Sequence, residues 1–169
     1  LDAMLMGQRT AVLERGELLQ LDTTENLQLN PDHHRVAELT NDPPLNLVTR
    51  RAVRDEVGWQ IDHIRVPDGW SPASVAGDCD VLVGFRPEDA NVADKQYSGS
   101  SDYLALPLLV RSVIRTQGQT RLDGSCAGRS VSVLMPHDHF NALNDKQVTL
   151  RIAVAKLLFF DYENGRRIR

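Results

Sequence analysis

Val148-Thr149-Leu150-Arg151-Ile152-Ala153-Val154 is the clearest alternation in the chain. Val148, Leu150, Ile152 and Val154 share one face of an extended strand, and Thr149, Arg151 and Ala153 share the other. That period of two marks a half-buried strand. Similar runs precede it. Val131, Val133 and Met135 alternate with Ser130, Ser132 and Leu134. Val81, Val83 and Phe85 alternate with Leu82 and Gly84, and Leu106–Arg115 is a longer strand candidate. Turn signals separate the runs: Asp68-Gly69, Gly77-Asp78, Gly99, Asp123-Gly124 and Asn164-Gly165. Short strands at this spacing predict a small barrel or sandwich from Leu45 onward. The polar stretch Asn91–Asp102 reads as a loop. Val81, Val83, Phe85, Val110, Val113, Val133, Leu150, Ile152 and Val154 are the expected core.

Residues 1–41 have a different texture. Leu1-Asp2-Ala3-Met4-Leu5-Met6 reads as the end of an amphipathic helix stopped by Gly7. Thr10–Leu13 and Leu18–Leu21 read as strands of a hairpin turning at Glu14-Arg15-Gly16-Glu17. Thr23 is placed to cap a helix over Thr24–Leu29, with Glu25 in its first turn. Asn30-Pro31 breaks it. Asp32 is the expected cap of a second helix that buries Val36, Ala37 and Leu39. Asn41-Asp42-Pro43-Pro44 is the clearest boundary, because consecutive prolines cannot continue a helix.

Composition narrows the function classes. The chain has 169 residues, 18.9 kDa, 41% hydrophobic and 25% charged, enough for a core without metal or disulfide staples. The net charge of −4 argues against a generic polyanion binder. No apolar run approaches the ~20 residues of a membrane span. Two cysteines, Cys79 and Cys126, fit a reducing compartment. The chain opens at Leu1 without a signal sequence, and reads as a fragment of a longer protein.

A family resemblance enters at both ends. Leu1-Asp2-Ala3-Met4, Arg9-Thr10-Ala11-Val12-Leu13 and Arg15-Gly16-Glu17-Leu18 resemble "EAM…DRIAVM-x-x-GRI" of ATP-binding subunits of ABC importers for sugars, polyamines and glycerol phosphate. Thr23-Thr24-Glu25-Asn26-Leu27 resembles "TPEEL", Val36-Ala37-Glu38 resembles "FVAEFIG", and Pro43-Pro44-Leu45-Asn46-Leu47 resembles "SPPMNLL". Gly84-Phe85-Arg86-Pro87-Glu88-Asp89 is similar to "GIRPEH", and Leu158–Ile168 to "LHLFDAETGRRI". Thr24 stands where the family has proline, and Leu109–Arg115 lacks its "ELLG" pattern.

The resemblance implies a mainly β chain. An OB-like β-barrel regulatory domain (TOBE) over 43–169 would follow an incomplete α+β edge of the ATPase domain over 1–42. The parent would be an ATPase using ATP and Mg, and the switch histidine would lie just upstream of Leu1. The chain itself has no G-x-x-x-x-G-K-[ST] phosphate loop, no LSGGQ-like signature and no apolar run ending in Asp-Glu. It is therefore expected to hold no catalytic residue, no ATP site and no cofactor. The implied partners are a second ATP-binding subunit, transmembrane permease subunits and a regulatory protein or small effector, with no nucleic acid. The implied location is the cytoplasmic face of the cell membrane. Residues 1–42 are expected to dock poorly, unless they fold onto the barrel or a second copy.

Other constellations read as structural. His137-Asp138-His139 puts two imidazoles on one strand face, but a tetrahedral metal site needs more ligands; it reads as a solvated turn, with no metal site. Adjacent His33 and His34 point apart on a helix. Cys79 between Asp78 and Asp80 is a poor nucleophile, since carboxylates raise a thiol pKa. Cys126 reads as a turn residue, and Ser125 lacks a nucleophile elbow. Arg86 and Glu88 are the candidate regulatory or inter-subunit residues, set against a reading in which Pro87 fixes a turn and the charges pair locally. The alternative function is a free-standing oxyanion-binding TOBE-like module, using amides of Gly84–Asp89 and Asp123–Gly128. A nucleic-acid-binding OB-fold is disfavoured by 5% aromatics and negative charge.

Overall fold

Arg15 (φ 51°) and Gly16 (φ 88°) close the turn between β1 (Thr10–Glu14) and β2 (Glu17–Asp22), so the expected hairpin forms. The geometry is that of a computed structural model, which describes residues 8–66, 77–93, 102–116, 118–137 and 146–169. The helix expected over residues 1–7 and the turns at Asp68-Gly69 and Gly99 lie outside the described residues. Thr23 caps α1 (Thr24–Leu29), accepting the Asn26 N–H at 3.2 Å. The cap of α2 (His34–Thr40) is His33 rather than Asp32: its Nδ1 accepts the Arg35 N–H at 3.1 Å. Asp32 is drawn instead into an ion pair with Arg169. Val36 and Ala37 are buried, but Leu39 is 55% exposed, contrary to expectation.

The rest is β. The strands are β3 (Asn46–Arg54), β4 (Trp59–Ile61), β5 (Ile64–Arg65), β6 (Cys79–Phe85), β7 (Ala90–Val92), β8 (Tyr103–Arg115), β9 (Gln119–Cys126), β10 (Arg129–Pro136), β11 (Gln147–Ala153), β12 (Leu158–Asp161) and β13 (Arg167–Ile168). One sheet runs β13-β12-β6-β3-β4-β5 and another β10-β9-β8-β11-β7, with antiparallel pairs throughout. The expected loop Asn91–Asp102 therefore starts late, because Asn91 and Val92 pair with β11.

Strand β8 curls its sheet. Its first half pairs with β11 and its second half with β9, and Leu109 is opposite both Gln147 and Ser125. A bulge between Val110 and Ser112 follows that handover, and bulges bend strands and increase their twist. The result is a curled half-barrel of the OB-like kind. Asp123-Gly124 is not a turn but the middle of β9. Glycine is needed there because β8 passes so closely: a Cβ on Gly124 would sit 2.4 Å from the Leu109 carbonyl oxygen. The turn falls at Ala127 (φ 48°) and Gly128 (φ 79°).

The main core lies between the two sheets. Val81, Val83, Phe85, Val133, Leu150 and Ile152 are buried in it, as expected. Val110, Val113 and Val154 are only partly buried. The first two follow the handover at Leu109, and Val154 starts a 3-10 turn after β11 has ended. A second apolar layer covers the outer face of β6 and β12. Leu82, Leu158 and Phe160 pack there with Leu45, Leu47 and Ala37 of α2. The N-terminal segment thus folds onto the barrel.

Asn46 clasps the half-barrel. Its side-chain Nδ2 donates to the Ser132 carbonyl at 2.8 Å, and its Oδ1 accepts the Ser132 N–H at 2.8 Å. Ser132 is on β10, the outer strand of its sheet. One buried amide therefore does the work of a strand pair across the gap between sheets. Asn46→Ala removes both bonds and should lower unfolding free energy by about 1–3 kcal/mol. Urea denaturation checks this, and an unchanged midpoint would contradict the clasp.

Candidate functional site

The chemistry-bearing side chains gather where the N-terminal segment meets the barrel. Arg86 follows β6 directly and precedes a 3-10 turn, Pro87–Asp89, in which proline fixes the first φ. Its side chain is only 16% exposed. Nη2 donates to the Gln28 carbonyl at 2.9 Å, with the Leu29 carbonyl at 3.5 Å. These are last-turn carbonyls of α1, which the helix itself leaves without partners. No basic residue of α1 stands in that turn, so Arg86, just past the end of β6 and 58 residues away in sequence, supplies the missing cation. Asp89 lies 3.7 Å from Arg86 and 3.7 Å from Lys156, forming a loose ion-pair row. Glu88 is exposed and joins none of this among the described residues. The structure thus does not bring Arg86 and Glu88 together as a pair.

A second set of ties lies around His33. The Asp161–Gly165 loop is held by the buried Asp161 carboxylate, which accepts the N–H groups of Glu163 and Asn164, each at 2.9 Å. Gly165 follows with φ 73°; a Cβ there would meet His33 Nε2 at 2.5 Å, so only glycine fits. The His34 N–H donates to the Gly165 carbonyl at 3.0 Å, and the Arg167 N–H to the Asp32 carbonyl at 2.8 Å. His33 Nε2 lies 3.0 Å from the Asn164 carbonyl. With Nδ1 accepting from Arg35, Nε2 carries the proton in the neutral ring.

The two histidines do not diverge. Their rings stack at 4.7 Å, because His33 is the extended cap residue and not part of the helix. His34 also contacts Glu38 at 3.1 Å, one helical turn on. Arg35 pairs with Glu14 at 2.8 Å and Glu38 at 3.0 Å, tying α2 to the hairpin.

The remaining candidates stand apart. His137 is engaged on both nitrogens, 2.8 Å from Thr120 Oγ1 and 2.5 Å from the Thr116 carbonyl. Asp138 and His139 lie outside the described residues. No group of three or more His, Cys, Asp or Glu side chains is arranged to hold a metal among the described residues. Burial pushes the Cys79 thiol up, and Asp161, Asp80 and Asp78 add to this against Arg51. Cys126 is the buried last residue of β9, not a turn residue. Of the two segments read as anion-binding loops, Asp123–Gly128 is largely strand, with Asp123–Cys126 in β9, and Gly84–Asp89 begins as strand, with Gly84 and Phe85 in β6, and ends in the 3-10 turn. Asn46 and Asp161 were missed as structural determinants. Asp161-x-x-Asn164-Gly165 carries the spacing of a side-chain-capped turn and was legible as one.

Burial holds the His33 pKa below its ordinary value, and the neighbouring His34 adds to this; Glu14 and the Asn164 carbonyl oppose it. A histidine kept neutral in the fold stabilises above its unfolded pKa of about 6.5 and loses that contribution as pH falls through the folded value. Melting temperature should therefore hold above about pH 6.5 and drop as pH falls below it. His33→Asn keeps a capping acceptor and should flatten that slope; an unchanged slope would contradict it.

No family model matches the chain. It is 30% identical to a xylose/arabinose import ATP-binding protein of Haloferax volcanii, over 97% of this chain and 44% of that protein. It is 28% identical to an sn-glycerol-3-phosphate import ATP-binding protein of Jannaschia sp., over 99% of this chain and 44% of that one. A diacetylchitobiose uptake system ATP-binding protein of Streptomyces coelicolor is 36% identical over 55% of the chain and 25% of its own length. The chain spans less than half the length of these relatives. Over nearly its whole length, the chain is homologous to ATP-binding subunits of ABC importers for sugars and glycerol phosphate.

Proposed function

We propose that the chain is the C-terminal part of such an ATP-binding subunit, with residues 1–42 as an edge of its ATPase domain and 43–169 as an OB-like TOBE regulatory domain. One observation carries the division. The β1–β2 hairpin is apolar on both faces. Val12 is covered by Leu27 and Val36. On the hairpin and the helices that follow it, Leu13, Leu18, Leu21, Leu29 and Leu39 are 43–60% exposed. Strands apolar on both sides belong inside a larger sheet, and bare leucines at this density mark a contact surface.

The parent subunit would bind ATP and Mg through residues outside this chain, and would work with a second ATP-binding subunit and membrane permease subunits. The chain's own part is coupling. Arg86 ties the end of the ATPase edge to the barrel, so a displacement of one is felt by the other. Glu88, exposed beside that tie, is offered to a second subunit or a regulatory protein. The effect is a bias on an open–closed equilibrium without local chemistry. The choice of solute belongs to other subunits. The alternative, a free-standing anion-binding module, predicts a gene without an ATPase region.

The coding sequence upstream of Leu1 tests this directly. A phosphate loop, a signature motif and a histidine just before Leu1 are expected; an upstream stretch lacking all three would overturn the reading. In the isolated chain, Leu13→Glu with Leu18→Glu should leave the unfolding free energy from urea denaturation within about 0.5 kcal/mol of the unsubstituted chain and raise solubility. In the full-length subunit the same pair should abolish ATPase activity. Equal destabilisation in both would contradict the contact surface.

A further inference from the structure

A cleft of about 480 Å³ opens between the hairpin and the C-terminal strand. It is lined by Glu17, Leu18 and Leu19 on one side, by Asp32 and His33 at its base, and by Arg166, Arg167 and Arg169 on the other. Its charges do not balance locally. Asp32 is taken by Arg169. Arg166 and Arg167 have no carboxylate partner among the described residues. Arg167 is the more telling of the two. Its guanidinium leans on the Phe160 ring at 5.7 Å, and its Nε is buried without a hydrogen-bond partner. Burial lowers its proton affinity, and Arg169 and Arg86 act in the same direction, with Asp32 opposing them from beyond ion-pairing distance. A half-buried cation with an orphaned donor costs stability unless an acceptor completes it.

We propose that this cleft binds a small phosphate-bearing metabolite. Two unpaired guanidinium groups match the charge of a phosphate monoester, about −1.5 to −2 near neutral pH, better than a single carboxylate. The planar donors of arginine suit phosphate oxygens in pairs. The volume is that of a small-molecule site and exceeds what one phosphate fills. Leu19 offers an apolar wall for the rest of the ligand, and Glu17, at the exposed rim, accepts from its hydroxyl groups. The site takes residues from both the N-terminal segment and the barrel, so its ligand would tighten the junction between them. The inference rests on the cleft's own geometry and stands apart from the importer reading.

Calorimetric titration of the full 169-residue chain with inorganic phosphate, glucose 6-phosphate and glucose, at fixed ionic strength, tests it. Saturable binding of at least one phosphate-bearing probe, with none for glucose, is expected. Arg166→Gln and Arg167→Gln should each weaken it about tenfold, as loss of a charge-assisted bond does. Tighter binding of glucose 6-phosphate than of phosphate means the organic part is held too; equal binding means the phosphate alone is read. No saturable binding of either phosphate probe at millimolar concentration would overturn the proposal, as would glucose binding equally well. Binding unaffected by Arg166→Gln would overturn it too. Arg166 is exposed, so that variant decides the matter even if Arg167→Gln fails to fold.

Discussion

Leu82 and its neighbours Val81 and Val83 point to opposite sides of one strand, and both sides are dry. The same holds one strand over, where Phe159 faces the barrel core and Phe160 the outer layer. Strands β6 and β12 are thus a shared wall. On one side they close the half-barrel. On the other they receive α2 and the entry to β3. Each large outer-face side chain contributes about 1.5–3 kcal/mol when buried, so the outer layer is substantial. Removing it would leave Leu82, Leu158 and Phe160 in water, and the barrel would carry an apolar patch on its back.

The polar ties sit at the rim of this wall. Arg86 reaches α1, His33 reaches the Asp161–Gly165 loop, and Asp32 meets Arg167 of β13 through its backbone and Arg169 through its side chain. Each joins elements more than 50 residues apart in sequence. An apolar layer holds two parts together but leaves them free to slide; directional hydrogen bonds at its edge fix the register. That combination lets a displacement of one part be felt by the other.

Much of this fold was legible from residue pattern. The period-two runs around Val133 and Leu150 became β10 and β11, and Thr23 caps the helix it was expected to cap. Misreadings arose where tertiary contact overrides a local signal. Asp123-Gly124 has the composition of a turn, yet its glycine answers the close passage of β8. Leu39 fits the apolar face of α2 by spacing, but Val36 packs on the hairpin and α1 and Ala37 on the barrel, and neither covers Leu39. Asp32 is a good cap in isolation and loses that place because Arg169 engages it. The site was harder still. Arg86 was visible beside Pro87, but its partner is a backbone carbonyl, and carbonyls leave no trace in a sequence. Leu157-Leu158-Phe159-Phe160 is an unbroken apolar run, the mark of a strand covered on both faces, and it was the available hint that something docks there.

Amide hydrogen exchange of the full chain, followed by mass spectrometry, tests the shared wall most directly. If the outer layer holds the N-terminal segment on the barrel, peptides from α1 and α2 should be protected alongside β12 and β13, and Leu82→Asp should release both helices while β8–β11 stay protected. Free-peptide exchange rates in α1 and α2 of the unaltered chain, beside a protected barrel, would contradict the account.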